Sequence, residues 1–221
     1  MNSKLELLPP QNFNEIYTPE GRYYVTPNGI FPSVTTVLGV LPKAPELLEW
    51  IKNIGEEEAK KIANEAANRG NRLHKVVNKY LLGEDFGMDP IIRAHFLQIK
   101  PILDDRLTKI KALEYPIFSK KIRVAGRLDI LGVLDNTLMI LDIKTSRKLK
   151  ELNQIENYFS QASAYSFMIN EMFSDKFQIN KFGVIISNLD ENKPSIFFGE
   201  MKDHLTRFIR ARRMFFNAYK K

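Results

Sequence analysis

The amino-acid sequence predicts a mixed α/β domain: a mixed central sheet flanked by helices, with a helical segment ahead of it. Three observations lead there. Apolar residues recur at helical spacing through residues 45–102, and strand-like runs then alternate with helical ones to the end of the chain. Helix, three strands, helix, strand is the order of a mixed sheet covered by helices. Asp135-Asn136, set between two apolar runs, is a turn signal that makes those runs an antiparallel hairpin. With 221 residues, 44% of them hydrophobic, the chain can bury one sizeable core. No repeat, low-complexity tract or linker divides it, so one domain over residues 1–221 is expected.

The elements follow in order. Residues 1–32 carry Pro and Gly punctuation, with a short strand or hairpin near residues 23–25 and 30–31. Ser33 is placed to cap a short helix ending at Gly39. Pro45 or Glu46 opens a second helix, with Leu47, Leu48, Trp50 and Ile51 on its apolar side and Gly55 as its stop. A long helix runs from about Glu56 to Leu82, and Gly83 stands at its C-terminal cap. Asp89-Pro90 starts another, with Ile91, Ile92, Phe96, Ile99 and Ile102 at helical spacing. Strands are expected over residues 112–119, 124–134 and 137–143. A helix over 153–173, strands over 181–187 and 195–199, and an amphipathic helix from His204 onward complete the chain.

The chemistry concentrates in the hairpin. If Asp135-Asn136 is a two-residue loop, Leu134 lies opposite Thr137 and Asp129 opposite Asp142, with Cβ atoms roughly 5 Å apart on one face. Lys144 follows on that face by the strand period, while Leu128, Ile130, Leu141 and Ile143 point to the other. Two carboxylates side by side repel and resist desolvation unless a cation lies between them. Lys144 can be that cation in a purely structural ion cluster. The other arrangement is a divalent-cation site. Mg2+ takes carboxylate oxygens plus waters and leaves positions for phosphate, and a neighbouring lysine can orient or help deprotonate a water.

Composition narrows the field. Lys+Arg 33 against Asp+Glu 26 gives a net charge of +7, which suits a polyanionic partner. Arg147 and Lys148 follow Lys144, so a phosphate reaching the carboxylates would pass them. The absence of cysteine excludes disulfides, zinc–thiolate sites and an iron–sulfur cluster. No apolar run of about 18 residues is available to span a membrane. The first residues have neither an apolar signal region nor an arginine-rich presequence. A cytoplasmic protein of a bacterium or phage-infected cell, with no membrane partner, is the expectation.

Gly126-x-x-Asp129 followed by Leu141-Asp142-Ile143-Lys144-Thr145-Ser146 resembles the PD-(D/E)XK nuclease superfamily, in its RecB-like branch. Upstream, Arg69-Gly70-Asn71-Arg72-Leu73-His74 is similar to the branch's helical histidine motif. Downstream, Gln161-Ala162-Ser163-Ala164-Tyr165 is similar to its Gln-x-x-x-Tyr motif. Pro32-Ser33-Val34-Thr35, ahead of the Trp50-containing helix, is similar to the mitochondrial genome maintenance exonuclease and its phage-encoded relatives. The likeness covers about residues 30–200. It departs from the superfamily at Leu128, where a proline usually precedes the first aspartate.

The resemblance implies a restriction-endonuclease-like catalytic core over residues 111–200 and a helical insertion over 43–110, of which 43–70 would form an arch for a threaded single strand. It implies Asp129, Asp142 and Lys144 as catalytic residues. His74, Asp129, Asp142 and the Ile143 carbonyl would be ligands of Mg2+, with Mn2+ as a substitute. Gln161 and Tyr165 would lie beside DNA, and Ser33 and Thr35 would touch phosphate near the base of the arch. Gly70 shares the His74 face of its helix and would permit close approach of backbone or substrate. Glu114 stands where several relatives keep an acid, as an auxiliary ligand or as a partner for Lys120 or Arg127. His95 and His204 have no such context and are expected at the surface. The implied activity is metal-dependent hydrolysis of DNA from single-stranded ends, in replication, repair or recombination. A structure-specific endonuclease of the same superfamily and a non-catalytic DNA-binding recombination module are the alternatives.

Overall fold

Short turns build a small sheet at the N-terminus of the computed structural model, which describes residues 4–219. Strands β1 (Asn14–Thr18), β2 (Gly21–Thr26) and β3 (Gly29–Pro32) pair antiparallel in that order. Only β2 and β3 were legible as strands, because β1 lies mostly exposed at an edge and lacks an alternating apolar pattern. Ser33 then caps α1 (Val34–Leu38), accepting the Thr36 N–H at 3.0 Å.

Gly55, at φ 88°, separates α2 (Pro45–Ile54) from α3 (Glu56–Leu82), and Gly83 ends α3 in the left-handed region. The amphipathic α2 buries none of its residues, and Leu47, Leu48 and Trp50 stay exposed. In α3, Ala59 alone is buried before Leu73, whereas Leu73, Val76, Val77 and Leu81 are core. Residues 45–68 therefore stand out from the body. The rest of α3 and α4 (Pro90–Pro101), capped by the Asp89 carboxylate, pack on the main sheet. Ile91, expected on the apolar side of α4, is 55% exposed.

The main sheet has the order β4 (Leu107–Ser119), β5 (Val124–Leu134), β6 (Thr137–Ser146), β7 (Lys181–Asn188), β8 (Lys193–Glu200). Asp135 and Asn136 adopt φ of 47° and 61°, as a type I′ hairpin loop requires. Leu134 consequently faces Thr137, and the register runs back to Ile130↔Leu141, as the turn chemistry predicts. β6 and β7 are parallel, and α5 (Glu156–Met172) provides the crossover between them. β4 begins before residue 112 because two register irregularities, between Leu107/Lys109 and Ile110/Ala112, break its alternation.

Two cores sandwich this sheet. On one side α1, α5 and α6 (Met201–Ala218) bury Leu128, Leu131, Ile140, Tyr165, Phe182 and Phe208. On the other, α3 and α4 bury Leu73, Phe96, Ile130, Leu141 and Ile143. Leu128 and Ile130 thus belong to opposite cores, which corrects the expectation that they share a face. The alternation resets between them, at Asp129. Across the ladder, Glu114 adopts φ 45°, and its neighbours Leu113 and Tyr115 likewise pack on opposite sides. A left-handed residue rotates the chain beyond it, which displaces both acids from an ordinary strand orientation. The small sheet docks on the β4–β5 hairpin through Phe13, Tyr24, Phe31, Ala125 and Phe118. Among the described residues, no helix is long and apolar enough to cross a membrane.

Candidate active site

The β5–β6 ladder ends where the two aspartates arrive. Beyond Ile130↔Leu141, the Asp129 carboxylate itself accepts the Ile143 N–H, at 2.7 Å. Asp142, 1% exposed, has Lys144 Nζ 2.6 Å from each carboxylate oxygen. Only Oδ1 receives a well-directed hydrogen bond. Oδ2 is buried with no hydrogen-bond partner among the described residues. From α3, His74 sets Nε2 2.7 Å from the Ile143 carbonyl and Nδ1 3.3 Å from Asp129 and 3.4 Å from Glu114. One donor atom from each of His74, Glu114 and Asp129 lies within 4.8 Å of the others. They line a cavity of about 10 Å³ together with Val77, Asn78, Leu113, Ile130 and Ile143, room for roughly one water-sized particle.

Electrostatics tie these groups together. Burial disfavours a charged His74, but Asp129 and Glu114 outweigh it and hold the imidazole well above the usual histidine range. Burial also raises Asp129, yet His74, Lys144 and the Ile143 N–H prevail, so its carboxyl titrates below the ordinary value. For Asp142 burial wins: its carboxyl is pushed up to about 6, with Asp129 adding to the rise and Lys144 opposing it. Burial depresses Lys144 less than the two aspartates raise it. The His74 proton and the Lys144 ammonium thus supply the positive charge that the acids demand. Carboxylate oxygens, a backbone carbonyl and an imidazole form a donor set suited to Mg2+ or Mn2+. Asp142 lies outside that three-residue cluster, with Lys144 2.6 Å from both of its oxygens. The residues present fit a divalent ion.

Helix α5 closes the site. Gln161 Nε2 donates to Tyr165 Oη at 3.1 Å, both side chains buried. A Cβ on Gly126 would lie 2.6 Å from Tyr165 Cε1, so the glycine of Gly126-x-x-Asp129 lets this ring rest against β5. Tyr158 was missed by sequence reasoning: Lys144 Nζ lies 5.3 Å from its ring centroid. The signal was available, since Tyr158, Gln161 and Tyr165 follow helical i, i+3, i+7 spacing.

The remaining candidates are placed differently. Ser33 is 1% exposed, and its hydroxyl is engaged with the Thr36 N–H, Thr35 and Thr36 in the α1 cap. Thr35 is exposed, as are Arg147 and Lys148 just beyond β6. Gly70 has open space where a Cβ would stand, so no protein atom makes the close approach expected there. Glu114 faces His74 rather than Lys120 or Arg127, and Arg127 pairs with Glu15 at 3.6 Å. Two surface assignments are corrected. His95 is fully buried on the Ile92–His95–Ile99 stripe of α4, with Nδ1 2.5 Å from Ser187 Oγ. The His204 ring packs edge-on against Phe159 and Phe182, at 4.8 and 5.8 Å.

No family model matches the sequence. The mitochondrial genome maintenance exonuclease 1 of Xenopus tropicalis is 26% identical over 181 residues, covering 76% of this chain and 51% of that protein. The chain therefore spans about half the length of the curated relative it matches. Among solved structures, a phage-related exonuclease from Haemophilus somnus 129PT aligns over 85% of this chain and 94% of its own, at 9% identity and a TM-score of 0.33.

Proposed function

We propose that this chain is a divalent-metal-dependent deoxyribonuclease that hydrolyses phosphodiester bonds from single-stranded ends. The observation that supports it most is the gathering of two groups about Ile143, where β5 and β6 part: the His74–Asp129–Glu114 cluster and the Asp142–Lys144 pair. The 26% identity to a protein named as an exonuclease supports the same chemistry.

In this reading His74, Asp129, Asp142, Glu114 and the Ile143 carbonyl would hold Mg2+, with Mn2+ as a substitute. A bound ion supplies Lewis-acid polarisation of the scissile phosphoryl group and lowers the pKa of a water. To serve as a ligand, His74 must give up its proton at the ring nitrogen it offers. Without a bound ion, the two aspartates outweigh burial and raise the Lys144 pKa. Beside a bound ion its amine would orient or help deprotonate the attacking water and screen phosphate charge. Tyr158 caps that group from α5. Gln161 and Tyr165, both buried, form the adjoining wall and brace β5 at Gly126, so they act on the DNA strand only through the groups they hold in place.

The projecting residues 45–68, with Leu47, Leu48 and Trp50 exposed, suit an arch over the open side of the site. Selection is then by width, and phosphate contacts carry no base information. Arg147 and Lys148 flank the exit of β6 and attract backbone phosphate. The test is degradation of labelled linear and closed circular single-stranded DNA in Mg2+. The linear strand should disappear and the circle survive. Efficient cutting of the circle would instead assign an endonuclease, and binding without cutting in either Mg2+ or Mn2+ a non-catalytic module.

A further inference from the structure

A cation pair lies beside this site and outside its catalytic set. Arg22 on β2 and Arg127 on β5 converge on one carboxylate, Glu15, at 3.8 and 3.6 Å. The same carboxylate accepts the Tyr17 hydroxyl at 2.8 Å. Two guanidiniums against one acid leave excess positive charge, and both arginine side chains are 33% exposed. The group is thus fixed in place yet open to an incoming anion.

Its position gives the charge a purpose. Arg127 precedes Asp129 by two residues, about 7 Å along a strand, roughly the step between successive phosphates on an extended single strand. Arg22 lies over the Tyr24 ring, 5.3 Å from its centroid. The Tyr24 side chain is buried, with both Arg22 and Arg127 acting on its hydroxyl. Tyr24 lies near Tyr165, which links the small sheet to the α5 wall. Planar guanidiniums bind phosphate through paired N–H donors.

We propose that Arg22 and Arg127 clamp the phosphodiester next to the scissile one, with Glu15 holding the two guanidiniums in register. The inference rests on the nuclease reading and adds a subsite to it, supplied by the N-terminal sheet. That sheet then forms one wall of the substrate cleft as well as packing on β4 and β5.

The experiment uses the full chain carrying Asp142→Asn, in chelator, with a fluorescent single-stranded oligonucleotide titrated across a salt series. Arg22→Gln and Arg127→Gln keep a polar stem beside Glu15 and remove the charge. Each should weaken binding and lower the slope of log K against log salt by about 0.7, the share of one phosphate on a single strand. Arg22→Lys should restore the slope without full affinity, and the exposed Arg210→Gln on α6 should change neither. Thermal melts of every variant accompany the titrations. Unchanged slope and affinity in folded Arg22→Gln and Arg127→Gln, with DNA still bound and cut by the unmodified chain, would overturn the clamp alone. If the unmodified chain leaves DNA uncut in Mg2+ and Asp142→Asn fails to bind it, the nuclease reading falls and the clamp with it.

Discussion

Replacing Asp142 by asparagine should make the metal-free protein more stable while abolishing its chemistry. Asp142 is 1% exposed, and burial lifts its carboxyl from 3.8 to about 6 even with Lys144 in contact. A carboxyl with a raised folded pKa binds its proton more tightly in the native state than in the unfolded chain. The sign is therefore destabilising as pH rises: the cost appears above about 4 and is complete above about 6. A shift of about 2 units at 1.36 kcal/mol each corresponds to about 3 kcal/mol at neutral pH. Asparagine has nearly the same shape and no charge, so Asp142→Asn should recover up to that amount. At about 2–4 °C per kcal/mol for a chain of this size, the melting temperature should rise by several degrees. Circular-dichroism melts in chelator from pH 4 to pH 8 provide the assay. The advantage of the variant should shrink toward pH 4, where the wild-type carboxyl is already neutral. Added Mg2+ should narrow the gap at pH 8, because the ion stabilises only the protein that binds it. A variant less stable than wild type at pH 8 in chelator would refute the reasoning, since Asp142 would then be a net stabilising member of an ion pair.

Gly126→Ala should cost about 1–3 kcal/mol by overpacking against Tyr165 and should lower activity without removing any ligand; an unchanged melt and rate would show that the ring yields freely. His95, held at about 4 by burial with Arg69 adding to the effect, should contribute stability that is complete above pH 6.5 and lost as pH falls toward 4, by up to about 3 kcal/mol. His95→Gln should therefore show a flatter stability profile across that range, and parallel profiles would contradict it. His74→Ala should raise the Mg2+ concentration needed for activity, with Mn2+ the better rescuer because Mg2+ demands near-ideal octahedral coordination and tolerates a lost ligand less; an unchanged metal titration would return His74 to a packing role.

Much of the architecture was legible because its causes are local. Asp135-Asn136 specifies the hairpin register through two left-handed residues, and period-two alternation then brings Asp142 and Lys144 to one face. The limits of α3 and β5 follow from Gly83 and from the same turn. What escaped depends on tertiary context. Leu128 changes sides because the strand resets at Asp129, beside a Glu114 whose φ of 45° has no local signal. His95 reads as a polar residue, yet Ser187 on β7 satisfies one ring nitrogen and allows burial. Glu15 and Arg22 lie in a segment without strong pattern, and only docking of the small sheet brings them to Arg127.

The most direct measurement is the rate at which wild type and Lys144→Ala degrade an end-labelled linear single strand, in Mg2+ and in chelator, with folding of both verified by circular dichroism. Wild type should cut in Mg2+ alone, and Lys144→Ala should lose a factor on the order of 10³ or more, since a group acting at the reacting centre is worth several kcal/mol of barrier. Wild-type rates from Lys144→Ala, or cutting that persists in chelator, would contradict it.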